Sequence, residues 1–554
     1  MNPPRLIVHA GVAGFYWALF LTLALRLLHP EPASADWWLA MLPVVGVYTL
    51  AAALLGPLLY GMVRFFARHR VQVPLFSLRY VMSLFAAGGP VVLISLSLTL
   101  WRARRAIDPQ AGWRIKFLLA AGATVWLYAL IICIVPGLKR RAGWQASAAG
   151  LALAVLLAPS LAPHDSAAPP GGAREGAAEM RPPEARLILV EIDGADLEDI
   201  LKLMARGRLP GLARLRHEGA MGRLQSVAPC ATAVARTALV TGRMPYRNGV
   251  RGAWSRDLLR RPVELSVVPE GMLFDDLLSP FLRRRSLTVR DRRAPAVWEI
   301  AAQAGGTSLV AGFDADLDRP DGIDAHPAGH DRDRPASGPG LQEFLDAAPP
   351  RDDGVAAQRV ADLERALVAD ARILREFAGA EEMTGPGVTA LSLPGIDGVA
   401  HQFLRYARPG DFGNVSNREV EAYGDVLGRY LVRLDAVVER ALRLRGPHDW
   451  LFVVSAHGMR PASLRRRILA AAGGEAFSGS HDGAPGGFLF ALGPSVRAGE
   501  SFGSMSILDV VPTALYLLDL PIARDLDGSI IEQILTPGYT RQHPAVVIDS
   551  YGFR

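Results

Sequence analysis

The sequence predicts an N-terminal all-α transmembrane bundle followed by an α/β domain with a largely parallel central sheet. Three observations carry this. Apolar runs long enough to cross a bilayer crowd into the first 162 residues. Residues 163–185 are rich in Pro, Ala and Gly and lack periodicity. From 186 to 554, short apolar runs alternate with amphipathic helical patterns. The expected layout is a membrane domain at 1–162, a flexible linker at 163–185 and a second domain at 186–554.

A transmembrane helix needs about 20 apolar residues to cross ~30 Å of hydrocarbon. Five stretches qualify: 6–28, 38–63, 80–101, 117–137 and 145–162. The first lacks a cleavage pattern and reads as a retained span. Trp37, Trp38, Trp101, Trp113 and Trp144 sit near span ends, where amphipathic rings prefer the interface. Basic residues fill the loops at 64–79 (Arg64, Arg68, Arg70, Arg79) and 138–143 (Lys139, Arg140, Arg141), while 29–36 has none. That pattern favours a cytoplasmic N-terminus and a C-terminal domain on the extracytoplasmic side. The loop at 102–116, with Arg102, Arg104, Arg105, Arg114 and Lys116, argues the other way. A re-entrant hairpin at 80–101, broken at Gly88-Gly89-Pro90, would leave the domain cytoplasmic. The expectation is an integral protein of the cell inner membrane with a periplasmic 186–554 domain.

Net charge is +6, and Lys occurs only at 116, 139 and 202, so the basicity is almost all Arg. Such a bias reflects overall composition and points to no nucleic-acid partner; Arg283–Arg285 and Arg290–Arg293 read as a solvated face or loop. Cys133 and Cys230 make no disulfide framework.

In the second domain, strands are expected at 187–192, 307–312, 388–393, 450–455, 487–492 and 545–549. Helices are expected at 196–206, 210–218, 232–240, 296–304, 355–378, 418–445 and 507–518. The Pro- and Asp-rich stretch 314–354 reads as a loop or cap insertion.

Polar residues gather just after the expected strands. The first strand ends in Asp193, and Thr232 stands at a helix start. Asp397 and His401, four apart, share a helix face or converge in a turn and can grip a divalent ion. His457 and His481 follow later strands, and Asp509 reads as a helix cap. Each alone has a plain structural reading, a hydrogen-bonded loop His or a surface Asp–His pair. Their common placement at strand carboxyl ends, where ligands gather in open α/β sheets, raises them together.

The chain from 186 to about 535 resembles the alkaline phosphatase superfamily, in its type I phosphodiesterase and nucleotide pyrophosphatase branch. The matching pieces, in order, are IDGAD (192–196), GRLPGLARLRHEGA (207–220), the P-x-x-T…TG-x-x-P-x-x-x-G pattern (229–249), APAVWEIAAQAG (294–305), PGIDGVAH (394–401), SAHGM (455–459) and LDVVPTALYLLDLPIARDLDG (508–528). The resemblance implies an alkaline-phosphatase-like fold for 186–554 and two divalent metal ions, usually zinc. It implies Thr232, nine residues before Thr241, as the nucleophile that forms a covalent phosphothreonine. Asp193, Thr232 and His457 would touch the nucleophile-side metal; Asp397, His401 and His481 would hold the other. Activity on a phosphoester or phosphodiester, lipid-linked given the bilayer the chain enters, is what the resemblance implies.

The sequence departs from the pattern at position 456, where Ala stands in place of a metal-binding Asp. The nucleophile-side metal is then weakly held, or water or Asp482 replaces the lost carboxylate, or the domain is a silent binding protein. Arg236 is similar to an arginine of sulfatases, but Thr232 is no formylglycine precursor, and Cys230 is two residues away. Asn248-Gly249 stands where nucleotide pyrophosphatases have His-Gly, and the phosphate-donor Asn that follows there is replaced by Ala253 or Trp254, which speaks against a nucleotide. The layout of spans before such a domain also resembles lipid phosphoethanolamine transferases, so headgroup transfer is the alternative activity.

Overall fold

The structure, a computed structural model, describes residues 3–29, 35–66, 78–104, 107–134, 180–228, 230–252, 254–258, 265, 267, 274–313, 354–378, 385–413, 415–464, 467, 477–481 and 483–552. The expected fifth span at 145–162, most of the linker and nearly all of the 314–354 cap lie outside these residues. The chain forms two compact units, Met1–Ala168 with Trp254–Arg285, and Pro169–Ala253 with Ser286–Arg554.

The first unit holds four long helices: α1 (Pro3–Leu28), α2 (Ala35–Phe66), α3 (Leu78–Arg102) and α4 (Pro109–Ile134). Each contains a stretch long and apolar enough to cross a membrane. The chain is thus built as a membrane-anchored protein. The 80–101 segment is no hairpin, because α3 runs unbroken through Pro90. Proline has no N–H to offer the carbonyl four residues back, which would strand Ala86 in an apolar setting. The Trp126 indole fills that need, donating to the Ala86 carbonyl at 2.7 Å. Gly89 makes room for it, since a Cβ there would lie 2.2 Å from the Trp126 ring.

The excursion Trp254–Arg285 belongs to this unit too. Its short strands Ser255–Leu258 and Leu282–Arg285 pair antiparallel. Leu258, Leu265, Val267, Phe274 and Leu278 are buried in one apolar cluster with the helices. The His29 ring fixes its place: Nδ1 donates to the Leu25 carbonyl (2.9 Å), leaving Nε2 to accept the Val267 amide (3.2 Å).

The second unit is an α/β domain around a seven-stranded sheet. Its strands are β1 (Arg186–Ile192), β2 (Ala220–Gln225), β3 (Thr307–Ala311), β4 (Gly387–Leu393), β5 (Trp450–His457), β6 (Gly486–Leu492) and β7 (Glu500–Ser506). The order is β7-β2-β6-β5-β1-β4-β3, and β6 alone runs antiparallel. Helices cover both faces, so the inner strands read as continuous apolar runs. On one face lie α5 (Leu197–Ala205), α6 (Pro210–Glu218), α7 (Gly354–Phe377), α8 (Gly395–Ala407) and α9 (Val426–Leu444). On the other lie αN (Thr232–Thr241), αX (Val297–Gln303) and αC (Val510–Leu517).

Five expected strands join this sheet. The sixth, 545–549, shrinks to Val547–Ile548 paired with Ile522–Ala523 outside it. The expected helix 418–445 breaks at Gly424 into Asn417–Tyr423 and α9. Asp509 stands at the start of αC without capping it by its side chain; it accepts the amides of Ser506 and Ser529, both at 2.8 Å, and so closes the turn that leads into the helix.

Candidate metal centre

The polar residues singled out in the sequence stand where β1, β4 and β5 end side by side. β1 pairs β4 from Arg186–Gly387 to Ile192–Leu393, and pairs β5 from Leu187–Trp450 to Glu191–Val454. β1 therefore delivers Asp193 beside the tip of β4, from which α8 starts with Asp397 and His401. Helical spacing by four sets those two on one face. β5 ends on His457, and His481 follows the short strand Gly479–Ser480. Gly194 has φ +69, and a Cβ on it would lie 2.2 Å from Asp397 Oδ1. The Asp193-Gly194 turn needs glycine both for the left-handed backbone and for Asp397's space.

His401 Nδ1 donates to the Gly479 carbonyl at 2.8 Å, which leaves Nε2 as the bare nitrogen. That nitrogen lies 2.9 Å from His481 Nε2 and 3.6 Å from Asp397 Oδ2. His481 Nε2 lies 3.4 Å from Asp397 Oδ1. One ligand atom each from Asp397, His457 and His481 falls within 4.8 Å of the others, so His457 joins this group as well. Asp397 Oδ1 and His457 Nε2 are buried and take no hydrogen bond. One carboxylate and three imidazole nitrogens turned together, with Asp397 Oδ1 and His457 Nε2 taking no hydrogen bond, fit a divalent ion such as zinc. Burial pulls Asp397 upward, but His481 and His401 outweigh it and hold its carboxyl well below the usual range. Burial, with His481 adding to it, lowers His457 to about 3, so its imidazole stays neutral and keeps a lone pair for a cation.

The other half of the site is built differently. The pleat of β1 turns Leu187, Leu189, Glu191 and Asp193 to the face covered by αN. Arg236, on αN, reaches both acids: Nε lies 2.7 Å from Glu191 Oε2, and Nη2 donates to Asp193 Oδ2 at 2.8 Å. All three are buried. Ser392 also donates to Glu191 Oε2 (2.6 Å). Burial pushes Asp193 up to about 8, with Arg236 opposing and Asp397 and Glu191 adding to the push. Asp193 Oδ1 lies 3.3 Å from His457 Nε2, which links the two halves.

On β5, Trp450, Phe452, Val454 and Ala456 belong to the same αN-side cluster. Carrying the β1–β5 register two residues past Glu191–Val454 sets Ala456 beside Asp193. This half does not fit a second divalent ion. Its carboxylate has already given one oxygen to a guanidinium, and its neighbouring position is a methyl group.

Thr232 opens αN, partly exposed, one helical turn before Arg236 and on the same face. Its hydroxyl takes no hydrogen bond among the described residues. αN ends at Gly242 in the left-handed conformation (φ 63). Asn248 then donates to the Arg243 carbonyl (3.0 Å) and accepts the Val250 amide (2.9 Å), a structural role in the turn. Cys230 is in no disulfide and its Sγ lies 3.5 Å from Ser226 Oγ, and Asp482 lies outside the described residues. Glu191 is the site residue the sequence reading missed. Its signal was present, a second acid two places before Asp193 in an otherwise apolar strand.

The sequence profile described as "Type I phosphodiesterase / nucleotide pyrophosphatase" matches residues 187–472. Comparison with curated protein sequences returns no significant match. Among solved structures, the chain is similar to murine ectonucleotide pyrophosphatase / phosphodiesterase 5 at 14% identity, covering 63% of this chain and 100% of that one, with a TM-score of 0.39. It is similar to an inactive form of the murine protein in complex with AMP, at 13% identity, 64% and 100% coverage and a TM-score of 0.39. It is also similar to the human counterpart, at 14% identity, 63% and 99% coverage and a TM-score of 0.37. With the profile spanning more than half of its length, and the polar groups of that span gathered at the strand ends, the chain belongs to the type I phosphodiesterase / nucleotide pyrophosphatase family.

Proposed function

We propose that this chain is a membrane-anchored, metal-dependent phosphodiesterase whose nucleophile is Thr232. The observation that carries the reading is the group formed by Asp397, His457 and His481, with ligand atoms within 4.8 Å, at the strand ends of a family phosphodiesterase domain. Asp397, His401 and His481, with His457 beside them, would hold a divalent ion, zinc by its donor set. When bound, such an ion supplies Lewis-acid stabilisation of the phosphoryl oxygens.

The chain's own residues do the rest. Thr232 oxygen bonds to phosphorus as the bond to one alcohol breaks, so the other ester group stays on the phosphorylated threonine until water releases it as a phosphomonoester. Asp193 Oδ1, the oxygen not given to Arg236, is the base on the nucleophile's side for the hydroxyl proton. The open N-terminal turn of αN adds backbone N–H groups that favour an anionic phosphoryl group.

A lipid-linked phosphodiester at a periplasmic site is the substrate class and location we assign. The excursion Trp254–Arg285 belongs to the first unit and packs at the His29 end of the bundle. Four successive passes leave α4 at the opposite end, and a fifth pass at 145–162 would return the chain. The loop at the His29 end, 29–36, carries no Lys or Arg, which marks an extracytoplasmic face; Arg102, Arg104 and Arg105 at the α3–α4 turn count the other way.

The test is hydrolysis of bis(p-nitrophenyl) phosphate by the full chain in detergent, with and without a chelator. We expect turnover that chelation abolishes and Zn²⁺ restores. Turnover indifferent to chelation removes the metal-dependent reading, and no turnover on aryl or lipid phosphodiesters removes the enzymatic one. A fluorescent-protein fusion after Arg554 stays dark if the domain is periplasmic; a bright fusion overturns that location.

A further inference from the structure

We infer that the catalytic centre holds a single divalent ion, and that the Arg236 guanidinium occupies the position where a second cation would otherwise sit. The inference rests on the metal-dependent reading above and deepens it.

Geometry gives the first reason. Arg236 makes two separate carboxylate contacts, to Glu191 Oε2 at 2.7 Å and Asp193 Oδ2 at 2.8 Å, with its side chain 4% exposed. A guanidinium held by two buried acids is fixed in place, and its charge cannot be removed. A divalent ion on the remaining oxygen of Asp193 would sit against that fixed charge in a water-poor setting, where like charges repel strongly.

Register gives the second. Ala456 falls beside Asp193 on the face αN covers, so the nearest position from which β5 could offer another ligand offers a methyl group. A missing carboxylate and an added guanidinium answer each other. Without the carboxylate the pocket has one negative charge fewer to set against a divalent ion, and Arg236 supplies a single positive charge in its stead. Both halves keep oxygens or nitrogens without a hydrogen bond, Glu191 Oε1 and Asp193 Oδ1 on one side, Asp397 Oδ1 and His457 Nε2 on the other, but in the first half the acids are already held by a fixed guanidinium.

Arg236 acts here as a positioning residue. It holds Asp193 from one side of αN, one turn from Thr232, and so sets the nucleophile's helix against the β1 tip. The arrangement also accounts for Glu191, an acid buried in a parallel strand whose partners are Arg236 and Ser392.

The experiment is metal counting on the full chain in detergent micelles, stripped with chelator and dialysed against Zn²⁺ alone, read by mass spectrometry of the metal. The wild type should retain one ion per chain. Ala456→Asp should still retain one, because Arg236 remains in place. The double variant Arg236→Ala with Ala456→Asp should retain two, and Arg236→Lys should stay at one. Two ions on the wild type, or on Ala456→Asp alone, overturn the inference while the metal-dependent reading stands. No ion on the wild type sinks both. Because the wild type and Ala456→Asp decide the matter, a double variant that fails to fold does not shelter it.

Discussion

His457 Nε2 lies 3.3 Å from Asp193 Oδ1, so a single imidazole forms the seam between the half of the site built from histidines and the half built around Arg236. It reaches Asp397 and His481 on one side and Asp193 on the other. A change at His457 should therefore disturb both halves, and its protonation state matters to both.

Burial first, and then His481, lower His457 to about 3 in the folded, metal-free protein, against an ordinary value near 6.5. Between those values the unfolded chain binds the proton and the folded one does not. The stability that neutral His457 contributes is therefore complete above pH ~6.5 and is lost progressively as pH falls toward 3. Thermal unfolding of metal-free wild type and His457→Gln should differ most above pH 7 and converge on acidification. A gap that widens as pH falls would falsify this assignment.

Gly194→Ala tests the coupling between the β1 tip and the ligand group. The new Cβ would fall 2.2 Å from Asp397 Oδ1 in a backbone conformation that alanine resists. We expect a stability loss of about 1–3 kcal/mol and weaker Zn²⁺ binding, by calorimetric titration. Unchanged zinc affinity would mean Asp397 has freedom to move that the packing does not suggest.

The sequence made the inner part of this fold readable and its margins obscure. Strands β1, β4, β5 and β6 declare themselves because burial under helices on both faces demands near-continuous apolar runs, and the edge strand β3 (TSLVA) shows through its β-branched residues. β7 (ESFGSMS) is the sheet's edge, with β2 (AMGRLQ) as its one neighbour, and there apolarity is least enforced; β2 itself lies between β7 and β6 but carries Arg223 and Gln225 on exposed positions. The 254–285 excursion escaped for a similar reason: its buried residues Leu258, Leu265 and Val267 are spaced for no regular element. Within the site, Asp397 and His401 were visible as an i, i+4 pair. Arg236 and Glu191 were not visible as partners, because their meeting depends on the pleat of β1 and the placement of αN.

Asp435 offers a change that should lower stability and spare chemistry. Its two carboxylate oxygens accept the amides of Gly211 and Leu212, each at 2.8 Å, at the start of α6, which lacks a side-chain cap of its own. Asp435→Ala leaves both donors buried without partners, at a cost of about 1–3 kcal/mol. Melting temperature should fall while the turnover number per folded molecule and the zinc count stay at wild-type values. A loss of zinc would show that α9, which shares its face with α8, helps to position Asp397 and His401.

Thr232 stands one turn from Arg236 at the open end of αN, and the two residues should fail in different ways. Thr232→Ala removes the attacking oxygen but no buried contact, so folding and zinc content should be kept while turnover falls by at least ~10³-fold. Thr232→Ser keeps the oxygen and loses the methyl group that stiffens χ1. It should retain measurable turnover, with the loss confined to kcat because substrate binding is untouched. Acid quench of the wild type during turnover of bis(p-nitrophenyl) phosphate should leave a p-nitrophenyl phosphoryl group on the peptide containing residue 232, and the Ala variant should leave none. If Thr232→Ala still hydrolyses the diester at a comparable rate, the nucleophile is water and the site works as a direct hydrolase.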